Sequence, residues 1–257
     1  MIAEIEHNGK RYEVDLDKPI DISIPLRAED DNPKAWYVDK PTITPVQGDS
    51  FVGSVEKGGS VNFRDITFNP HGHGTHTECV GHISSEVFSI NRHLKKFFVI
   101  AKVITIEPEI LGNDEGEHRK KGDRVITRHQ VEKVFNGDKF EAVIIRTLPN
   151  DASKLIRQYS STNFPYMNEN AAAILKEHDI KHLLIDLPSI DREEDGGKLL
   201  AHHAFWNYPE HARMDATITE FIYVKDDIED GTYLLNIQIA PFVNDATPSK
   251  PILYAMQ

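Results

Sequence analysis

The chain carries a single cysteine, Cys79, among its 257 residues. That excludes an intrachain disulfide and any metal site built mainly from thiolates, and nothing in the cysteine usage points to an oxidising compartment. Long apolar runs are also missing: none approaches the roughly 20 residues that a membrane-spanning helix needs. Positive charge is scarce, with 29 Lys and Arg against 41 Asp and Glu, a formal charge of -12. Such a field repels a phosphate backbone, so neither a nucleic-acid partner nor a membrane partner is expected. The one basic run, His118 to Lys121, has acids just upstream and reads as a solvated loop. The opening Met1-Ile2-Ala3-Glu4-Ile5-Glu6 lacks the basic and apolar regions of a secretion signal, which makes a cytoplasmic location the expectation.

What is present is an ordinary globular composition, 39% hydrophobic and 27% charged. No repeat, low-complexity tract or linker interrupts it, so residues 1–257 read as a single domain with one large core. Asn8-Gly9 between two short strand-like runs predicts a tight hairpin. Further strands are predicted at 22–26, 97–104, 141–147, 182–187, 216–224 and 233–242. Several are continuous apolar runs of the kind buried on both faces. Thr127 followed by Gln130 forms a capping-box pattern with a stop near Gly137, and Asn168 is placed to cap a helix ending near His178. Two helix-then-strand units after a hairpin predict a mixed α/β fold. The Pro-, Asp-, Gly- and Ser-rich stretch from Arg27 to Val61 has no sustained period and reads as a long cover loop.

Chemistry is concentrated in Pro70-His71-Gly72-His73-Gly74-Thr75-His76-Thr77-Glu78-Cys79-Val80-Gly81-His82, which holds four histidines and an acid. In extended backbone His76 and Glu78, two apart, face the same side. Imidazole nitrogen with carboxylate oxygen suits zinc, manganese or iron. Glu220 stands out as a carboxylate inside an apolar run, costly to bury without a partner or an ion. His202 and His203 are adjacent, so their side chains diverge and one of them is expected to face the centre. Asp186 and Asp191 read equally as groups that orient ligands or as strand-end and turn acids. Arg146 reads equally as a substrate-carboxylate anchor or as a partner of Asp186. Cys79 invites a nucleophile reading, but buried packing fits its neighbours better. Trp36, Tyr37 and Phe51 are candidates for apolar walls over a substrate ring.

The segment resembles the cyclase-like metal hydrolase family that includes bacterial kynurenine formamidase, whose signature is His-x-Gly-Thr-His-x-Asp-x-Pro-x-His. Gly74-Thr75-His76 matches its middle, Glu78 falls at its aspartate and His82 at its last histidine. The resemblance runs on through Asp21-Ile22-Ser23-Ile24-Pro25-Leu26, Ile145-Arg146-Thr147, Ile185-Asp186-Leu187-Pro188-Ser189-Ile190-Asp191, Ala201-His202, Ile218-Thr219-Glu220 and the tail from 239 to 252. It implies a swivelling β/β/α cyclase-like fold, a mixed sheet with flanking helices, in a homodimer or homotetramer. It also implies one or two divalent ions, zinc or manganese, held by His76, Glu78, His202 and Glu220, with His82 transferring protons.

Three departures from the signature stand out. Its first histidine would fall at Gly72, flanked by His71 and His73, either of which could take the role. Glutamate replaces aspartate at 78, and valine replaces proline at 80. The interval from His202 to Glu220 also looks lengthened by Tyr208-Pro209-Glu210-His211. The implied activity is metal-dependent hydrolysis of a small amide at a non-peptide C–N bond, as in an arylformamidase. The alternatives are a cyclic amide, imide or lactone hydrolase, or an idle, metal-free binding protein of the same fold.

Overall fold

The computed structural model describes residues 1–115 and 118–257. Asn8 and Gly9 take positive φ, 51° and 71°, and close the predicted hairpin between strands Ile2–His7 and Lys10–Asp15. Both residues tolerate that region, and the turn's twist matches that of the strands.

The main sheet runs in the order Gly231–Ile239, Phe98–Ile106, Ala142–Thr147, His182–Ile185, Thr217–Glu220, His76–Glu78, Ala246–Ala255. Ala246–Ala255 also pairs with Gly231–Ile239, so the seven strands close on themselves, and Ile20–Asp21 adds to the outside of the last one. Phe98–Ile106 through Thr217–Glu220 are parallel neighbours, whereas His76–Glu78 and the two C-terminal strands run antiparallel to theirs.

The continuous apolar runs are explained by two cores that share these strands. Val143, Ile145, Leu183, Ile185 and Ile218 pack with the helices. Ala142, Ile144 and Leu184, one residue out of phase, pack with Val99, Val103, Leu235, Ile237 and Leu253 on the opposite face.

The helices Arg128–Glu132, Glu169–Glu177 and Leu200–Trp206 lie on the first of these faces, and the single turn Ile90–His93 on the second. Thr127 and Gln130 form the expected capping box at the start of Arg128–Glu132, which stops short of Gly137. Asn168 accepts from Ala171 N at 2.8 Å and caps Glu169–Glu177, a contact worth about 1 kcal/mol.

Two expectations are corrected. The strand predicted at 22–26 is confined to Ile20–Asp21. Beyond it Ser23 makes an isolated bridge to Ile222, Ile24 N donates to Thr75 Oγ1, and Pro25 has no N–H to extend a ladder. The stretch from 27 to 61 is not one long loop. It enters a β-ribbon in which Thr42–Pro45 pairs with Arg64–Thr67 and Gln47–Gly48 pairs with Phe51–Val52. No helix among the described residues is long and apolar enough to cross a membrane.

Candidate metal centre

Strand register builds the centre. Glu220 lies directly opposite His76, and Ile218 opposite Glu78, so His76, Glu78 and Glu220 project from one face. Ile218 packs with the helices, which identifies this as the helix-covered face. Thr77 and Thr219, out of phase, meet through their hydroxyls at 2.8 Å on the other side.

His202 reaches the same spot from helix Leu200–Trp206. The carboxylate of Asp191 accepts from Ala201 N at 2.8 Å and His202 N at 3.0 Å, capping the helix from a distance. It also meets His202 Nδ1 at 2.6 Å. That leaves Nε2 facing Glu78 Oε1 at 3.2 Å and Glu220 Oε1 at 3.8 Å.

Three imidazoles are arranged alike, one nitrogen tied outward and the other turned in. His76 Nδ1 is held by Gly74 O at 3.0 Å, while Nε2 stands 3.4 Å from Glu220 Oε2 and 4.0 Å from Glu78 Oε2. His71 Nε2 is held by Asp245 Oδ2 at 2.8 Å, while Nδ1 stands 3.1 Å from Glu78 Oε2, out of line for a hydrogen bond. His82 stacks on His71 with ring centres 4.3 Å apart. Its Nδ1 lies 3.8 Å from Glu78 Oε2 and 3.7 Å from Asp245 Oδ2.

Electrostatics follow from this packing. Burial alone would lower the pKa of His71, but its contacts with Asp245 and Glu78 outweigh it and push the ring up to about 10. Burial likewise opposes charge on His202, and Asp191 and Glu78 override it to hold the ring well above its ordinary value. Glu78 is fully buried, which would raise its pKa. The charge of His82 and the contacts with His202 and His71 hold it well below the carboxylate range instead.

The donor set fits a divalent cation. His76 Nε2 and Glu78 Oε2 are buried and accept or donate no hydrogen bond. Each such orphan costs about 1–3 kcal/mol unless something satisfies it. Three groups, His71–His76–Glu78, His71–His82–Asp245 and Glu78–His82–His202, place one ligand atom per residue within 4.8 Å of one another. Donors bound at about 2.1 Å to one tetrahedral ion stand about 3.4 Å apart, close to the separations seen here. These are candidate metal-binding clusters of nitrogen and oxygen, the set that zinc and manganese accept.

Six of the seven residues singled out from the sequence therefore meet: His71, His76, Glu78, His82, His202 and Glu220. His73 does not. Its Nδ1 accepts from Asn69 N at 2.7 Å and its Nε2 donates to Asp39 O at 2.6 Å, so both nitrogens are spent on holding the loop. His203 turns away to Tyr208 O. Residues 208–211 form a turn closed by Arg213 N to Trp206 O.

Other readings resolve as well. Asp191 orients a centre residue, whereas Asp186 pairs at 2.7 Å with the buried Lys154, a partner that nothing in the sequence marked. Arg146 binds Asp230 and the carbonyls of Lys225 and Ile228, neither a substrate position nor Asp186. Cys79 is packed in the core, its thiol pushed up to about 11 by burial. Trp36 packs on Phe164 in a cluster with Tyr159 and Phe221, and Phe221 touches the His76 ring. Phe51 instead sits against Phe63 on the ribbon. Asp245 escaped the sequence reading, because an acid some 160 residues from the histidine segment carries no local signal.

A family model described as "Putative cyclase" matches residues 20–192. Over 237 residues the chain is 25% identical to a kynurenine formamidase from Bacillus cereus, covering 91% of this chain and 96% of that relative. Among solved structures, a predicted metal-dependent hydrolase from Bacillus stearothermophilus aligns with a TM-score of 0.61 at 18% identity, over 92% of this chain and 98% of that one. Isatin hydrolase A from Labrenzia aggregata, bound to benzyl benzoate, aligns with a TM-score of 0.66 at 11% identity, over 93% and 94%. At these identities the two structures speak to the fold alone.

Proposed function

The chain belongs to the Cyclase family, and from that premise we propose that it is a metal-dependent hydrolase of a small amide, acting on a non-peptide C–N bond. The observation that carries this reading is the pair of orphaned, buried donor atoms, His76 Nε2 and Glu78 Oε2, at the convergence of three imidazoles and two carboxylates. Zinc is the first choice of ion and manganese the second, held by His71, His76, Glu78, His202 and Glu220. A divalent ion held there would lower the pKa of a bound water to about 7 and would polarise the carbonyl under attack.

The protein's own groups do the rest. Asp191 and Gly74 O set the faces that His202 and His76 present, so the donors need no reorganisation when substrate arrives. His82 keeps 29% of its side chain exposed, whereas His76, Glu78 and His202 are sealed. It is the imidazole placed to take a proton from water and return it to the leaving nitrogen, which departs poorly as an anion. His71, with Nδ1 3.1 Å from Glu78 Oε2, offers the ligand that residue 72 lacks, which speaks against the idle-protein alternative.

The resemblance to a kynurenine formamidase favours an open aryl formamide as substrate. Purified, metal-loaded protein is expected to release formate from N-formylkynurenine or a formanilide faster than it opens isatin or a simple lactam, measured as initial rates across both sets. Faster opening of the rings would assign a cyclic-amide hydrolase. No turnover of either set by metal-loaded protein would count against amide hydrolysis.

Proton competition provides a second check. In metal-free protein His71 holds its proton up to about 10, against 6.5 for an unperturbed ring. The folded-state value is the higher one, so this contribution to stability is complete below 6.5 and disappears as the pH rises through 10. A cation must displace that proton from Nδ1. The rise in Tm caused by a fixed zinc concentration is therefore expected to grow from about pH 6 to about pH 8. A flat or falling profile would show that no such displacement occurs.

A further inference from the structure

We propose that Asp245 is the positioning residue that turns His71 into the centre and so compensates for the glycine at residue 72. This rests on the metal-centre reading above. The backbone at Gly72 is pinned: its carbonyl accepts from Ala35 N at 3.0 Å, and its N–H donates to Asn69 Oδ1 at 3.1 Å. A Cβ there would stand 2.8 Å from Val38 Cγ2, so a side chain at 72 would have to displace Val38. Any ligand from this loop must come from a neighbour, and His73 is committed to Asp39 and Asn69.

His71 enters one residue out of register, and its ring needs an outward tether. His76 and His202 are enclosed by protein, 0% and 1% exposed at the side chain, while His71 keeps 21%. Asp245 Oδ2 supplies the hold at 2.8 Å from Nε2. With Nε2 donating to a carboxylate, Nδ1 faces inward, toward Glu78, and presents its lone pair there once a cation displaces the proton.

The carboxylate is itself placed by the sheet. Asp245 O accepts from Cys79 N at 3.0 Å, the preceding Asn244 O accepts from Ile90 N at 2.9 Å, and Ala246 stands opposite Glu78 in the ladder. The end of the closing strand thus sets a histidine ring contributed by the loop ahead of His76–Glu78. The same arrangement recurs at His202 with Asp191, from different elements.

The test is a double-mutant cycle on the full chain, with zinc and manganese affinities measured by competition against a chromophoric chelator. D245A is expected to weaken binding about 10–100-fold, the usual effect of losing an outer partner of a ligand imidazole. D245N, which keeps an acceptor oxygen, is expected to recover part of that loss. H71A is expected to weaken binding at least as much, and D245A is expected to add nothing on top of it, because both changes remove one interaction. Wild-type affinity in D245A, or a D245A loss that adds fully to H71A, would overturn the proposal. The additive result would make Asp245 a ligand in its own right. Wild-type protein that binds neither ion would overturn the metal-centre reading and this inference with it, a result distinct from the other two. Metal-free melts of each variant guard against misfolding, and D245N is the informative variant if D245A fails to fold.

Discussion

His82→Ala is expected to lower kcat about 10²–10⁴-fold, the range for removing a positioned proton-transfer group, with metal content and KM near wild type. His82 sits at the end of the Val80–His82 turn, on the open side of the centre. Its Nδ1 stays 3.7–3.8 Å from the two nearest carboxylates, too far for a hydrogen bond, so it is oriented by stacking on His71 and remains free to meet substrate. A role in chemistry and a role in holding the ion give different results. Proton transfer predicts slow turnover by a fully loaded variant, measured by steady-state kinetics beside elemental mass spectrometry. A ligand role, which the Glu78–His82–His202 grouping also permits, predicts loss of the ion together with the rate.

His76→Ala has the second large effect expected. Protein purified without chelator or metal-affinity tag should carry one or two equivalents of zinc or manganese per chain, and the variant only a trace. His76 Nε2 is wholly buried, without a hydrogen-bond partner, between two carboxylates. Removing it leaves Glu78 and Glu220 facing a hole, and the affinity loss should exceed the about 10–100-fold typical of outer-partner changes. Elemental analysis decides the matter. Wild type that stays empty after incubation with each ion, or a variant that retains its metal, would rule out this centre.

The cyclase-like α/β fold was legible because its signals are local. Asn8-Gly9 demands positive φ, Thr127 with Gln130 and Asn168 with Ala171 satisfy helix N-termini within one turn, and continuous apolar runs announce strands covered on both faces. The ribbon within 27–61 was not legible. Its strands are two to four residues long and mostly exposed, which leaves no period to detect. Ile22 to Leu26 misled because apolar residues persist there after pairing has stopped at Asp21.

By itself the sequence determined which chemistry is present: imidazoles and carboxylates, hardly any thiol, and an extended segment that sends His76 and Glu78 to one side. It also marked Glu220, since a charge within an apolar run must find a partner or an ion. Tertiary structure alone decided between His71 and His73, turning the first inward and spending both nitrogens of the second on the loop, and it alone brought in Asp245 from the closing strand. Backbone periodicity fixes which face a residue takes within its own element. Which nitrogen of a ring is spent, and which faces inward, depends on acceptors that only strand register and loop packing bring within reach.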